Sequence, residues 1–121
     1  EDDVESFTQL QSVFPDRTII GDDLTTSSAA SVEQAVAAGA IRGVIIKPNQ
    51  IGTVTDTLAT MRVAYAHNVK CIVSHRSGET MDDFIADLAF GTQSFGFKAG
   101  APTAKERLVK YQRLLTIFQT T

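Results

Sequence analysis

Four times along this chain a short apolar run ends on or beside a polar or charged residue, and each time a stretch with helical periodicity follows. The runs are Thr18-Ile19-Ile20, Gly43-Val44-Ile45-Ile46-Lys47, Cys71-Ile72-Val73-Ser74-His75 and Ser94-Phe95-Gly96-Phe97-Lys98. They begin at residues 18, 43, 71 and 94, about 25 residues apart, which leaves room for one crossover helix after each strand and so predicts parallel pairing. The second run shows no alternation, as expected of a strand buried on both faces. The fold class is therefore α/β. Two architectures share this rhythm, an open doubly wound sheet and a (β/α)8 barrel, the latter needing eight strands and typically about 250 residues. No glycine-rich nucleotide fingerprint follows any strand, and the chain opens on a helical pattern. These features favour four parallel β/α units forming the C-terminal half of a TIM (β/α)8 barrel, with residues 1–121 part of one barrel domain.

The helical stretches carry their own punctuation. Val4, Phe7, Leu10 and Phe14 predict an apolar face on a helix within residues 2–14, before the Pro15-Asp16 turn. Ser31 with Gln34 reads as a capping box for a helix over 32–38, stopped by Gly39. Beyond Ile51-Gly52-Thr53, a helix with Val54, Leu58, Met61 and Tyr65 on one face closes near Asn68. Thr80 with Asp83 opens a helix carrying Phe84, Ile85 and Leu88, and Gly91 ends it. Thr103 with Glu106 caps a last helix whose face is Leu108, Tyr111, Leu115 and Phe118.

Composition removes several classes of function. With 43% hydrophobic and 21% charged residues, the chain belongs with globular rather than disordered proteins. A net charge of −3, with both signs spread along the sequence, offers no basic stripe for nucleic acid. No apolar run approaches the roughly 20 residues of a membrane span, and Glu1-Asp2-Asp3 is unlike a signal peptide's basic start. Cys71 is the single cysteine and reads as a buried strand thiol, which suits a reducing, cytoplasmic setting.

Asp22, Lys47, His75 and Lys98 all fall at or beside the C-terminal end of a predicted strand, where a parallel barrel builds its active site. Each alone is ordinarily a solvated or paired surface residue; four at equivalent places suggest a metal-assisted reaction on a phosphorylated or carboxylated substrate. The loop Ser74-His75-Arg76-Ser77-Gly78-Glu79-Thr80 has the make-up of an oxyanion-binding βα loop: Arg76 can grip an oxyanion bidentately and Ser77 can donate a hydroxyl. The blander alternative is a loop whose polar groups are satisfied by neighbours. Lys47 and Lys98 are both candidate bases, since a lysine crowded by cations loses proton affinity. Asp22 or Asp23 can ligate Mg²⁺, but two adjacent carboxylates rarely build a full divalent-ion site, so other ligands must come from elsewhere.

The blocks Gly21-Asp22-Asp23-Leu24, Lys47-Pro48-Asn49-Gln50-Ile51-Gly52-Thr53, Ser74-His75-Arg76-Ser77-Gly78-Glu79-Thr80, Lys98-Ala99-Gly100-Ala101-Pro102 and Glu106-Arg107-Leu108-x-Lys110-Tyr111 resemble, in order and spacing, the successive signatures of the C-terminal barrel of the enolase family. The resemblance covers nearly the whole chain. It implies a parent that reversibly dehydrates 2-phosphoglycerate to phosphoenolpyruvate in glycolysis and gluconeogenesis, a cytoplasmic homodimeric lyase using Mg²⁺; in the enolase superfamily a Lys or His base works with one or two Mg²⁺ ions. By the same resemblance, Lys47 matches the base that removes the C2 proton, Asp22 one carboxylate of the Mg²⁺ site, and Lys98 the lysine on the substrate carboxylate. Ser74, His75, Arg76 and Ser77 match the substrate-binding loop, Arg76 and Ser77 on the phosphate side.

The departures set limits. The distance from Glu1-Asp2 to Asp22 is too short for Glu1-Asp2 to match the Glu-Asp that carries another metal ligand in the family. The chain then lacks two metal carboxylates, the general-acid glutamate, the lid loops and the N-terminal domain. Thr26-Ser27-Ser28 departs from the usual loop, and Pro48 stands where many enolases carry an aliphatic. Two other functions stay open: a catalytically inactive half-barrel that needs its missing N-terminal part or another copy to cover exposed strand edges, and a structural or binding reuse of the fold.

Overall fold

The computed structural model describes residues 3–25 and 28–121, so Glu1-Asp2 and the Thr26-Ser27 part of the atypical loop lie outside the described residues. The elements are α1 (Val4–Val13), β1 (Ile20–Gly21), α2 (Ala29–Ala37), β2 (Gly43–Ile46), α3 (Pro48–Ile51), α4 (Val54–Ala66), β3 (Lys70–Ser74), α5 (Phe84–Gly91), β4 (Gly96–Lys98) and α6 (Lys105–Thr120). The strands form a four-stranded sheet in the order β1-β2-β3-β4, with β1 parallel to β2 and β3 parallel to β4. The expected alternation and parallel pairing are both met. Two compact units divide the chain between Cys71 and Ile72, inside β3.

In the first unit β1 and β2 pair with Ile20 opposite Gly43 and Gly21 opposite Val44. All four residues of β2 are buried, as its unbroken apolar run implies. Strand β1 is shorter and later than expected: the backbone before it is occupied by Gln11, whose side chain donates to the carbonyls of Phe14 (3.1 Å) and Arg17 (3.0 Å) and accepts from Ile19 N–H (3.2 Å). The same residue corrects the reading of α1. Leu10 and Phe14 on the expected apolar face are 43% and 49% exposed, and the buried residue of the helix is Gln11. A polar side chain is accepted there because its amide atoms find partners in the incoming loop.

Helix α2 starts earlier than its supposed cap. Ser28, not Ser31, is the N-cap and accepts from Ser31 N–H, while the Ser31 hydroxyl donates to the Thr25 carbonyl. Gly39, at φ +67°, follows its last turn as expected. Helix α4 packs against α2, and here too the inner face is rotated. Thr57, Thr60, Met61 and Ala64 are buried, whereas Val54 and Tyr65 of the expected face are exposed and Leu58 is half-buried. Each threonine returns its hydroxyl to the carbonyl four residues earlier, Thr57 to Thr53 (2.7 Å) and Thr60 to Asp56 (2.9 Å), so no polar group is stranded on an apolar face.

In the second unit β3 and β4 pair with Ile72, Val73 and Ser74 opposite Gly96, Phe97 and Lys98. Strand β4 begins at Gly96 rather than Ser94, whose hydroxyl bonds the Gly96 carbonyl. Helix α5 starts at Phe84, capped by backbone geometry at Asp83 with Asp82 accepting from Phe84 N–H (3.0 Å). Thr80 is therefore not the helix cap; it stays in the loop, accepting from Asp82 N–H (3.2 Å). Helix α6 has Ala104 at its N-cap with no side-chain bond there, so Thr103 and Glu106 form no capping box. Leu115 and Phe118 are 62% and 70% exposed, and the buried residue of α6 is Lys110.

Candidate active site

In the first unit the two charged strand tips meet. Asp22 follows β1 directly, because Gly21 lets the chain pass where a Cβ would stand 2.9 Å from Thr25 Cγ2 and 3.2 Å from Ile41 Cγ2. Thr25 then closes a turn on Asp22, its backbone N–H (3.1 Å) and hydroxyl (3.0 Å) both donating to the Asp22 carbonyl. Lys47 follows β2 at the point where Pro48 begins α3, a position that suits proline because its missing N–H is not needed in a first helical turn. The Lys47 ammonium forms an ion pair with Asp22 Oδ1 and lies 3.8 Å from Asp23 Oδ1. The lysine side chain is 14% exposed and that of Asp22 40%, so the pair is desolvated mainly on the lysine side.

Asp22 Oδ1 is also a buried oxygen with no hydrogen bond among the described residues. The ion-pair contact satisfies its charge but not its directional lone pairs. An anionic oxygen in that condition fits a divalent-cation ligand. Among the described residues no group of three His, Cys, Asp or Glu side chains is placed to hold a metal ion, so Asp22 fits as one ligand of a set completed by other residues.

The second unit holds the polar loop between β3 and α5. Ser74 is fully buried, with its hydroxyl donating to the His75 carbonyl (2.9 Å). His75 is fastened to β4 twice: its backbone N–H and its ring Nδ1 each lie 2.9 Å from the Lys98 carbonyl. Because a carbonyl only accepts, Nδ1 carries a proton and Nε2 is the ring atom left to work. Arg76 and Ser77 are exposed, and Gly78 at φ +74° turns the chain so that Glu79 folds back and accepts from Arg76 N–H (3.0 Å). Lys98 is exposed at the end of β4. The next residues are held by α6: Tyr111 donates to the Gly100 carbonyl (2.6 Å), and its ring meets Phe97 edge-on at 5.9 Å.

One residue that sequence reasoning passed over anchors this loop. Lys110 is 1% exposed and its ammonium donates to Thr80 O (2.8 Å), Glu106 O (2.6 Å) and Glu79 Oε2 (2.8 Å). Burial pushes the Glu79 carboxyl upward, but the hydrogen bonds from Lys110 and Arg76 N–H, with the Lys110 and His75 charges, outweigh it and hold the pKa below the ordinary glutamate value. The available signal was a lysine at an inward position of a helix. Residues 107, 110, 111 and 114 share one face of α6, and a charge there requires partners.

Parallel strands alternating with helices, with polar and charged residues following the strands, are the make-up of a TIM-barrel domain. The family model described as the enolase C-terminal TIM barrel domain matches residues 1–120. The chain belongs to the enolase family, within that domain. Among curated relatives, the enolase of Sulfolobus acidocaldarius is 49% identical over 117 residues, covering 97% of this chain and 28% of the relative. The enolase of Sulfurisphaera tokodaii is 46% identical over the same shares, and that of Aeropyrum pernix is 45% identical over 97% of this chain and 27% of its own length. The chain thus spans little more than a quarter of the relatives it matches. No described helix is long and apolar enough to cross a membrane.

Proposed function

We propose that this chain is part of an enolase, a lyase that interconverts 2-phosphoglycerate and phosphoenolpyruvate with loss or gain of water, and that it carries the base, one metal carboxylate and the substrate-binding loop of that enzyme. The observation that carries the reading is the Lys47–Asp22 pair, in which a candidate base meets a candidate metal ligand at a buried carboxylate oxygen with no hydrogen-bond partner among the described residues. The match to the enolase barrel domain and the enolase relatives support it.

The roles follow from the chemistry each side chain can perform. The C2 proton of 2-phosphoglycerate is weakly acidic, so a base must act where fixed cations meet the charge growing on the enolate. Lys47, once its ammonium has released a proton, takes the C2 proton as the neutral amine. Asp22 is one ligand for Mg²⁺, which when bound supplies positive charge toward that enolate. Lys98, exposed at its strand tip, pairs with the substrate carboxylate. His75 offers Nε2 and works with Arg76 and Ser77, which donate to the phosphate, while the buried Ser74 shapes the loop behind them. On this proposal the parent enzyme acts in glycolysis as a cytoplasmic homodimer.

The test is formation of phosphoenolpyruvate from 2-phosphoglycerate by the enzyme containing this chain, with and without Mg²⁺. Metal-dependent turnover is expected. Absence of turnover with metal present would leave the chain as a non-catalytic use of the fold. The 121 residues alone are expected to bind an anion without completing the reaction, since the general acid and further metal carboxylates are supplied by other parts of an enolase.

A further inference from the structure

Between β3 and α5 the backbone runs without regular structure, yet both ends of its first half are clamped. At one end His75 is tied to β4 through two bonds to the Lys98 carbonyl. At the other, Glu79 and Thr80 are tied to α6 through Lys110. Arg76 and Ser77 lie between the clamps with exposed side chains, and Glu79 reaches back from the second clamp to hold Arg76 N–H.

Lys110 is unusual for a lysine in three respects: it is buried, all three of its N–H donors have acceptors, and two of those acceptors are in the loop rather than on its own helix. Burying an ammonium costs free energy that an apolar residue at the same place would avoid. The geometry explains what is gained. We propose that Lys110 is a positioning residue for the anion-binding loop: it fixes Thr80 and Glu79, and through Glu79 the Arg76 backbone, so that Arg76 and Ser77 are pre-shaped to receive a phosphate. This rests on the reading of the loop as the substrate side of an enolase site. A pre-shaped loop grips substrate and transition state alike, so its loosening raises KM more than it lowers kcat.

The experiment uses the enzyme containing this chain, well below its unfolding temperature. Lys110→Met keeps the length and apolar stem while deleting the charge. The expected result is a KM for 2-phosphoglycerate raised about tenfold with kcat changed less than about threefold. Amide hydrogen exchange should accelerate in the peptide covering residues 75–82 and not along the rest of α6. An unchanged KM, or faster exchange spread evenly through α5 and α6, would make Lys110 a stabilising residue only and overturn the proposal. If Lys110→Met fails to fold, Glu79→Ala carries the test, because it removes the Arg76 link while leaving Lys110 two carbonyl acceptors; the same KM rise and local exchange are expected, and unchanged values overturn the proposal. Should the unmodified enzyme not turn over 2-phosphoglycerate, the functional reading fails by itself, while the exchange measurement still decides whether Lys110 orders the loop.

Discussion

The Lys47 ammonium is ion-paired with Asp22 Oδ1, a buried oxygen with no hydrogen-bond partner among the described residues, and Asp23 stands at 3.8 Å as a weaker second partner. Neither residue is near the other in sequence; the parallel pairing of β1 with β2 brings their strand ends side by side. Removing the Lys47 amine leaves the C2 proton with no acceptor. Lys47→Ala is expected to cut exchange of that proton with solvent deuterium by about 10²- to 10⁴-fold, the usual contribution of a positioned general base. Proton NMR of 2-phosphoglycerate in D₂O with the enzyme containing this chain measures it, and persistent exchange would move the base elsewhere, Lys98 being next in line.

Asp22→Asn keeps the shape of the side chain and removes its charge. Metal affinity should fall by at least about tenfold, since even loss of a group that merely supports a metal ligand costs about 10- to 100-fold. Calorimetric Mg²⁺ titration of the variant checks this. Because Asp23 remains within 4 Å of the ammonium, Lys47 keeps a carboxylate neighbour in the variant. Unaltered Mg²⁺ affinity would take Asp22 out of the ligand set.

The helix faces give a sharper test of packing. Met61 is 1% exposed and Val54 is 46% exposed, although both stand on the face that simple hydrophobicity selects. Met61→Ala should cost about 2–5 kcal/mol as a buried large-to-small change, and Val54→Ala should stay within about 0.5 kcal/mol. Urea unfolding of each variant supplies the comparison; equal losses would contradict the burial of α4.

That contrast shows what could be read in advance and why. The order of strands and helices, the buried run of β2 and the strand-end placing of Asp22, Lys47, His75 and Lys98 follow from periodicity and short apolar runs, which act locally. The inward faces of α1, α4 and α6 do not, because Gln11, Thr57, Thr60 and Lys110 are buried on the strength of partners that hydropathy does not register. Caps fail for a related reason. Ser31 and Thr80 have suitable chemistry, but their hydroxyls are engaged by Thr25 and Asp82 in the adjoining loops. The Lys110–Glu79 contact joins residues 31 positions apart and leaves no local trace beyond a charge on an inner helix face.

Cys71 lies wholly buried in β3, and burial, only partly offset by a hydrogen bond with Tyr65, pushes its thiol up to about 11. At pH 8 an ordinary thiol of pKa about 8.5 is partly ionised, so the folded chain should carry about two orders of magnitude less thiolate there. Alkylation by iodoacetamide should accordingly be slow in buffer and fast in denaturant. Rapid labelling of the folded chain would mean that β3 opens readily.

Glu79 provides a pH-dependent signal for the order of the loop. Its pKa is held below the ordinary glutamate value, because the Lys110 and Arg76 N–H bonds overcome the effect of burial. A lowered acid pKa contributes stability that is fully present above the unfolded value and is lost as pH falls through the folded one. The Arg76 amide resonance should therefore show an acid-range transition whose midpoint lies below the ordinary glutamate value, as Glu79 takes up its proton. In Lys110→Met the ammonium's bond to Glu79 and its charge are gone and burial acts with less opposition, so the midpoint should rise. A midpoint that does not move between the two proteins would show that Lys110 does not govern the charge on Glu79.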